Sequence, residues 1–379
     1  MNNLFNDIYK DKKVLVTGHT GFKGSWLTLW LNELGAEITG YALKANTDPS
    51  LFEILELKNK INHIEADIRD AEMLDKTLKK YKPEIIFHLA AQPLVRYAYK
   101  NPRETYETNI MGTVNLFEAV RNNPSAKVIV NVTSDKCYEN KETLKSYNES
   151  DSMGGSDPYS SSKGAVEIIT SAYRRSFFNP EEYGKAHTTA LASVRAGNVI
   201  GGGDWSEDRL VPDCMRALTN NEPVIIRNPR SIRPWQHVLE PLSGYLRLGT
   251  LMWNNGVSFS EGWNFGPNDK TNLTVEEVVK KIIEIFDRGS YQIDSKANLH
   301  EAKLLMLDIN KALNKLGWKP VYNDNQAIKE TVEWYKYFYG KNSDIYEFTL
   351  EQLNNYIKKA QKSDVSGSLG QEKLNEALA

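Results

Sequence analysis

The stretch Val14–Gly24 reads VLVTGHTGFKG, in which an apolar run, Val14–Thr17, leads directly into a turn with three glycines. Apolar residues with helical spacing follow over 26–34, and Gly35 stands where a helix cap is expected. A strand, a glycine turn and a helix in this order can cradle pyrophosphate. The first glycine makes the tight turn, the second lets backbone approach phosphate, and the third lets the helix pack on the strand. Amide groups at the helix start then face the anion, so we predict a dinucleotide site here.

The alternation of strand and helix continues through the first half of the chain. Further strands are expected over 38–43, 63–66, 85–89, 128–133 and 189–195, with helices over 70–81, 104–121 and 159–175. The strand runs are apolar without alternation, which indicates strands covered on both faces, as in parallel sheets. We therefore predict an α/β fold, a doubly wound parallel (Rossmann) sheet with its ligand crevice at the carboxyl ends of the strands.

The alternation of strands and helices ends after Gly197, where glycines and prolines separate shorter elements. We expect residues 1–197 to form the dinucleotide-binding domain, with a segment at about 235–265 returning to it. Residues 198–360 are expected to form mainly a smaller, substrate-binding C-terminal lobe. The small and polar residues of 361–379 predict a flexible tail.

The composition is ordinary for a globular protein, with 40% hydrophobic and 25% charged residues among 379. A net charge of -2 gives no reason to expect a nucleic-acid partner. The two cysteines, Cys137 and Cys214, are too far apart to suggest a disulfide framework or a zinc site. The chain shows neither a signal-peptide pattern nor an apolar stretch near the roughly 20 residues of a membrane span. We expect a soluble cytoplasmic protein.

The predicted dinucleotide site extends beyond the glycine turn. Asp67 and Ile68 are placed to meet the adenine, although Asp67 could equally cap the next helix. The choice between NAD and NADP is open, because the second strand ends in Tyr41-Ala42-Leu43-Lys44 without the carboxylate that favours NAD, and Lys44 would suit a 2′-phosphate. The candidate cofactor-binding residues are Gly18, Thr20, Gly21, Phe22, Lys23, Gly24, Asp67, Ile68, Leu89, Ala90 and Ala91, with Tyr159 and Lys163.

Tyr159 and Lys163 are four residues apart on a predicted helix and therefore share a face. A nearby ammonium favours phenolate and lowers the tyrosine pKa from about 10. Tyr159 could then take a hydroxyl proton as hydride leaves carbon, while Lys163 also holds the cofactor ribose. Thr133 or Ser134, at the end of the fifth strand, supplies a hydroxyl to orient the substrate. We predict a redox-active catalytic centre here.

Together these motifs resemble those of the extended short-chain dehydrogenases/reductases, a family that includes sugar-nucleotide epimerases, decarboxylases and dehydratases. The resemblance implies a nucleotide-sugar substrate, favours NAD over NADP, and implies a homodimer through the helices at 104–121 and 159–175, which would form a four-helix bundle. It extends to about residue 340 and rests on the glycine turn, Leu89-Ala90-Ala91-Gln92, Asn109, Thr133-Ser134 and Tyr159-x-x-x-Lys163.

The residues after Ser134 indicate which reaction of that family to expect. Epimerases usually carry small apolar residues there, whereas this chain carries Asp135 and Lys136. Two ionisable groups beside the hydride site suit an elimination, which needs an acid for the departing hydroxyl and a base for a carbon-bound proton. Dehydratases usually carry Asp-Glu. Asp-Lys is similar to the variant of the CDP-glucose 4,6-dehydratases, which the stretches 131–138, 195–205, 233–238 and 262–267 also resemble.

That resemblance implies dehydration of CDP-D-glucose to CDP-4-dehydro-6-deoxy-D-glucose, with NAD recycled in each turnover. Tyr159 would take the C4 hydroxyl proton during oxidation, and Asp135 would protonate the C6 hydroxyl as water is lost across C5 and C6. Lys136 stands where relatives have a carboxylate base. It can remove the C5 proton only if its amine is deprotonated, and it could instead stabilise the developing enolate. The residues alone leave both roles open.

A nucleotide diphosphosugar carries two negative charges, for which arginine is well suited. Arg233, within RPWQHV, is the strongest phosphate candidate, and Arg195 and Arg209 belong to the same half of the chain. Asn198 resembles the family's substrate asparagine. The candidate substrate-binding residues are Gln92, Arg96, Asn198, Asp204, Trp205, Arg209, Arg233 and His237, and no metal ligand is predicted.

Three alternatives stay open at this point. The first is a nucleotide-hexose 4-epimerase, which Asp135 and Lys136 disfavour because epimerisation needs no acid and base for an elimination. The second is a dehydratase of another nucleotide hexose, since the base is not derivable from residue chemistry. The third is a non-catalytic NAD-binding scaffold, which the intact Tyr159 and Lys163 pair disfavours.

Overall fold

The computed structural model describes residues 4–142, 145–267, 273–294, 305–340 and 344–365. Its strands are β1 (Lys13–Thr17), β2 (Glu37–Ala42), β3 (Asn62–Glu65), β4 (Ile85–His88), β5 (Val128–Val132), β6 (Ala190–Ala196), β7 (Asn198–Ile200), β8 (Val224–Ile226), β9 (Trp235–His237), β10 (Gly262–Phe265) and β11 (Tyr291–Ile293). Seven of them form one parallel sheet in the order β10-β6-β5-β4-β1-β2-β3. The predicted doubly wound sheet is confirmed. Its order reverses between β1 and β4, which places the ligand crevice at their carboxyl ends.

Helices cover both faces of this sheet. They are α1 (Phe22–Glu33), α2 (Leu51–Ile54), α3 (Ala71–Tyr81), α4 (Val95–Lys100), α5 (Pro102–Tyr106), α6 (Gly112–Asn122), α7 (Pro158–Ser176), α8 (Leu210–Thr219), α9 (Leu239–Asn255), α10 (Val275–Phe286), α11 (Asp324–Tyr339) and α12 (Ile345–Val365). None of the described helices is both long and apolar enough to cross a membrane.

Alternate residues of the central strands enter two different cores, as the period of two in a strand requires. In β1, Val14 and Val16 join a core built with α1 and α9, whereas Leu15 joins a core built with α3 and α6. Because each strand is buried on both sides, polar groups gather where the strands end. This geometry places the functional edge at the carboxyl ends.

The C-terminal elements extend the first of these cores instead of forming a separate one. β7 pairs with β9 and β8 pairs with β11 in two small parallel sheets, while α9 and β10 return to the central sheet. Trp205 packs edge-on against Trp334 of α11 within the core that also contains Trp26 of α1. The domain boundary at 197/198 remains a prediction.

Two predicted elements differ from the structure in detail. The helix expected over 104–121 begins at Pro102 and contains a π-helical turn at Glu107–Met111, which holds one extra residue between α5 and α6. The first residues of the tail expected over 361–379 are helical, because α12 continues to Val365. Residues 366–379 lie outside the described part of the chain.

Candidate active site

The glycine turn after β1 has the three features expected of a pyrophosphate cradle. Gly18 has φ +74°, and a Cβ there would lie 2.7 Å from the Ala90 nitrogen. A Cβ on Gly24 would lie 2.1 Å from the Gly18 oxygen, so α1 packs directly on the turn. At Gly21 the Gly18 oxygen, at 3.5 Å, is the one neighbour found within 4 Å, so the turn is open where phosphates would approach. The turn therefore fits a dinucleotide.

Hydrogen bonds fix this turn to the neighbouring strand ends. The Thr17 hydroxyl oxygen accepts from the Leu89 and Ala90 amides, each at 3.1 Å, and lies 2.7 Å from Nδ1 of His88. The Thr20 hydroxyl donates to the Leu43 carbonyl at 2.9 Å, just after β2. His88 is buried in the sheet, with 2% of its surface exposed. These bonds hold the carboxyl ends of β1, β2 and β4 together around the cradle.

Asp67 and Ile68 lie after β3, close to the same edge. The Asp67 carboxylate accepts from Arg69 Nη2 at 2.6 Å, and this bond lowers the Asp67 pKa. The residue that caps α3 is Asp70, whose side chain accepts from the Met73 amide, so the capping alternative for Asp67 does not hold. The Ile68 side chain packs against Gly112 at the start of α6.

Asn109, in the π-helical turn, braces the crevice from below. Its Oδ1 accepts from the Gln92 amide at 2.7 Å, and its Nδ2 donates to the Gln92 carbonyl and to Ser162 Oγ of α7. One buried side chain thus ties the loop after β4 to the helix that carries Tyr159 and Lys163. The extra residue of the π turn lies at this junction.

Tyr159 and Lys163 are both buried on the first two turns of α7. The helix begins just before Tyr159 because Pro158 occupies its first position and the Asp157 carboxylate accepts from the Tyr159 and Ser160 amides. Lys163 Nζ lies 3.5 Å from the Val132 carbonyl oxygen at the end of β5. The helix cap and the strand end therefore set the positions of the pair.

The charge states of this pair are governed by burial. Burial raises the pKa of Tyr159 to about 12, although the Ser134 hydrogen bond and the Arg209 charge oppose the rise. The lowered Tyr159 pKa predicted from the Tyr-Lys spacing is wrong, because loss of hydration outweighs the nearby cations. Burial also lowers the pKa of Lys163 to about 8. Both side chains are thereby shifted towards their neutral forms.

Of the two candidate hydroxyls, the structure brings only Ser134 to Tyr159. The Thr133 hydroxyl donates to Glu167 and to the Val194 carbonyl oxygen, inside the protein. Thr133 is therefore removed from the candidate catalytic residues. The Ser134 hydroxyl donates to Asp135 Oδ1 at 3.0 Å and its oxygen accepts from the Lys136 amide at 3.3 Å.

Asp135 and Lys136 begin a single 3₁₀ turn, Asp135–Cys137, directly after β5. Asp135 is buried, and a Cβ on Gly197 would lie 3.2 Å from its Oδ2, so the carboxyl group fits against bare backbone. Burial raises the Asp135 pKa, although Lys136, Ser134 and Arg233 act against that rise. The ammonium of Lys136 lies 5.9 Å from the centre of the Tyr159 ring. A carboxyl that can hold a proton and an ammonium thus flank Tyr159.

Arginines from the C-terminal half surround this cluster. Arg209 acts electrostatically on Tyr159 and donates to Asp204 Oδ2 at 2.8 Å, and Arg233 acts on Asp135. Asn198 begins β7 directly after Gly197, partly exposed. Arg96 of α4 pairs with Asp208 at 2.8 Å. These positions suit the phosphates and sugar of a nucleotide sugar.

Three expected substrate ligands, and also Arg195, have internal partners instead. The Gln92 side chain donates to the Leu94 carbonyl and to Thr105. The Trp205 ring packs against Trp334, Tyr335 and Phe338. His237 is fully buried between Trp26 and Tyr322, and Arg195 forms a buried ion pair with Glu167. These contacts remove the side chains of Gln92, Trp205, His237 and Arg195 from the candidate substrate ligands.

Two residues near the cluster were not singled out from the sequence. Tyr245 of α9 is fully buried and acted on by the charges of Asp135 and Tyr159, and Lys23 Nζ lies 5.7 Å from its ring centre. In the sequence, Tyr245 lies among the apolar residues of a helix, so nothing there indicated a functional residue. Glu167 follows Lys163 by one helical turn, and that spacing could have identified it.

Burial lowers the pKa of Lys23 to about 7, with Arg209 and Lys163 adding to the effect and Asp135 opposing it.

Comparisons with known proteins agree with this geometry. A family model described as GDP-mannose 4,6 dehydratase matches residues 15–331. A CDP-glucose 4,6-dehydratase of Salmonella typhimurium is 51% identical over 352 residues, which cover 93% of this chain and 98% of that protein. A dTDP-glucose 4,6-dehydratase of the same organism is 26% identical and covers 90% and 98% of the two chains. A solved dTDP-glucose 4,6-dehydratase from Bacillus anthracis in complex with NAD has a TM-score of 0.72 at 22% identity, covering 89% of this chain and 99% of its own, and thus shares the fold.

The roles of the glycines predict different outcomes at two positions. In Gly24→Ala the new methyl would collide with the Gly18 backbone, and we expect a loss of roughly 1–3 kcal/mol of stability, read as a lower Tm. In Gly21→Ala the methyl meets no protein atom closer than 3.5 Å, so the Tm should stay near that of the parent protein. Dinucleotide binding by calorimetry should nevertheless weaken about tenfold in Gly21→Ala, since the methyl occupies the phosphate approach. Unchanged binding in Gly21→Ala would refute the cradle.

Proposed function

Because the chain belongs to the GDP-mannose 4,6-dehydratase family, we propose that it is an NAD-dependent hydro-lyase that converts CDP-D-glucose to CDP-4-dehydro-6-deoxy-D-glucose. The 51% identity with a CDP-glucose 4,6-dehydratase, over almost the full length of both chains, is the observation that carries the proposal. The buried carboxyl of Asp135 beside Tyr159 supports it independently, because dehydration needs an acid at this place.

The NAD site is formed by the glycine turn, the small residues after β4 and the Tyr159 and Lys163 pair. Bound NAD supplies a hydride acceptor for C4 and a hydride donor for C6. The chain's own part in the redox steps is proton transfer at the C4 hydroxyl, which we assign to Tyr159 with Ser134 as its hydrogen-bonding partner. Lys163 adds a positive charge that favours the phenolate, which is the form of Tyr159 that can take this proton.

The elimination breaks the C5–H and C6–O bonds and forms a C5–C6 double bond conjugated with the C4 ketone. The C5 proton passes to a base, and Lys136 either takes it as the neutral amine or stabilises the enolate that its loss creates. Asp135 donates a proton to the C6 oxygen, which then leaves as water. Its pKa, which burial raises, suits this role because the shift favours the protonated carboxyl. With a proton returned to C5 and the hydride that bound NAD would supply at C6, the product would be the 4-keto-6-deoxy sugar, with no net redox change.

Four residues are proposed to hold the rest of the substrate. Arg209 and Arg233 place positive charge beside Tyr159 and Asp135, where a diphosphate joins the sugar to the nucleotide. Asn198 adds an amide at the start of β7. Arg96, paired with Asp208, is assigned to the nucleotide end.

We also propose a homodimer formed through α5, α6 and α7. Four large apolar side chains on this surface are each between 38% and 60% exposed. They are Tyr106 of α5, Met111 of the π-helical turn before α6, and Ile168 and Phe177 on or beside α7. The Tyr106 hydroxyl lies 2.9 Å from Ser161 Oγ, so the two helical segments are adjacent. Two copies of this surface would form a four-helix bundle and cover these side chains.

A panel of nucleotide hexoses tests the function. Incubation with CDP-, UDP-, dTDP- and GDP-hexoses should give loss of one water, detected by mass spectrometry, with CDP-glucose as the preferred substrate. Asp135→Asn should retain C4 oxidation but lose dehydration by roughly 10²-fold or more. Asp287→Asn, at the exposed end of α10, is the matched control and should behave as the parent enzyme. Loss of water from another nucleotide hexose alone would refute the CDP-glucose assignment.

Lys136→Ala tests the second ionisable group. We expect C4 oxidation to continue while exchange of the C5 proton with deuterated water slows, measured by NMR. Lys136→Arg separates the two roles, because arginine keeps the charge but is too weak an acid to serve as a base. Recovery of exchange in Lys136→Arg indicates electrostatic stabilisation, and continued loss indicates a base. Normal exchange in Lys136→Ala would exclude both.

Ile168→Glu tests the dimer. A charge in the centre of the proposed bundle should prevent association, so light scattering should report one chain where the parent protein reports two. Ile225→Glu is the matched control, since Ile225 is similarly exposed but lies on β8. A dimer that persists in Ile168→Glu would place the interface elsewhere.

A further inference from the structure

Tyr159, Lys163 and Glu167 are spaced by four residues along α7, so all three project from one face of the helix. Tyr159 and Lys163 lie at the carboxyl ends of the strands, and Glu167 lies one turn farther into the protein. A carboxylate with no access to solvent is costly to bury unless it is paired. Its placement directly beyond the catalytic lysine therefore calls for an explanation.

Glu167 is held by four donors, two on each carboxylate oxygen. Oε1 accepts from Thr133 Oγ1 and from Arg195 Nε at 2.9 Å. Oε2 accepts from Ser193 Oγ at 2.7 Å and from Arg195 Nη2 at 2.8 Å. The Arg195 fork is fixed in turn, because its Nη1 donates to the Tyr138 hydroxyl at 2.6 Å. Burial favours the neutral acid, but Arg195 and these hydrogen bonds outweigh it and lower the Glu167 pKa. A fixed negative charge results.

The negative charge of Glu167 acts on Lys163, which lies one helical turn closer to the substrate. The titratable groups that act on it are Cys137 of the 3₁₀ turn and Glu167 on its own helix, while His88 of β4 and Lys23 of α1 also feel its charge. Burial raises the Cys137 pKa well above its ordinary value and lowers that of His88 to about 3, so both are neutral near pH 7. Of these groups, Glu167 is the one that supplies negative charge to Lys163.

We propose that Glu167 is a positioning residue for the Tyr159 and Lys163 pair: its carboxylate, clamped by Arg195 one turn beyond Lys163, keeps the lysine protonated and in place. The proposal rests on the catalytic role given to that pair under the proposed function. Electrostatics sets the direction in which loss of Glu167 would move the pKa of Lys163. Without the carboxylate, Lys163 loses its proton at lower pH, and the uncompensated Arg195 charge acts in the same direction.

The pH profile of kcat/KM for CDP-glucose dehydration tests this proposal. In Glu167→Gln the alkaline limb should move to lower pH by about one unit or more. Glu167→Asp keeps the charge and should restore part of the profile. Ser193→Ala removes one hydrogen bond to Glu167 without removing charge, so its profile should match that of the parent enzyme. An equal shift in Ser193→Ala would indicate a merely structural role and would overturn the proposal.

A second measurement needs no turnover. Acetic anhydride labels only the deprotonated amine, so the extent of Lys163 acetylation against pH, measured by peptide mass spectrometry on the purified protein, reports its protonation. The midpoint should fall in Glu167→Gln along with the kinetic limb. A folded Glu167→Gln with both profiles unchanged would overturn the proposal.

One further variant guards against misfolding. Glu167→Gln leaves Arg195 buried and unpaired, which can unfold the protein, whereas replacing both members of a buried pair is often tolerated. The double variant Glu167→Gln with Arg195→Met should therefore fold and show a smaller shift in the same direction; no shift would overturn the proposal. If the parent enzyme dehydrates no nucleotide hexose, the proposed function fails, while the acetylation midpoint still decides the role of Glu167.

Discussion

Exclusion of water from the carboxyl edge of the sheet is the constraint on which the chemistry of this protein depends. Helices cover both faces of the strands, so the side chains that end them have only each other and a bound ligand to balance their charge. Asp135, Tyr159, Lys163 and Lys23 are all shifted towards their neutral forms by burial. Burial of this kind favours the protonated forms of Asp135 and Tyr159 and strengthens each remaining electrostatic contact.

Features set by short stretches of sequence were predictable. The spacing of Gly18, Gly21 and Gly24 follows from the backbone geometry of one turn, and the spacing of Tyr159 and Lys163 follows from one helix. Features that depend on distant partners were not. Trp205 and His237 pack against Trp334 and Tyr322, more than eighty residues away, so no local pattern distinguishes them from ligands.

The remaining differences between prediction and structure also arise from contacts between distant parts of the chain. The direction of the Tyr159 pKa shift depends on how completely the folded chain excludes water, which a Tyr-Lys spacing does not reveal. The choice between Thr133 and Ser134 depends on which hydroxyl meets Glu167, a residue 34 positions along the chain. Electrostatic partners across the fold, such as Arg209 for Tyr159, likewise emerge only when the C-terminal half is in place.

The number of residues in the π-helical turn at Glu107–Met111 is constrained by the active site. A π turn is an α-helix that has accommodated one additional residue, and removing a residue there would rotate everything on one side of it by about 100° relative to the other. Either Asn109 would leave Gln92 and Ser162, or the apolar stripe of α6 would leave its core. Insertions and deletions, which loops usually accept, are therefore excluded from this helix by the active site and the hydrophobic core together.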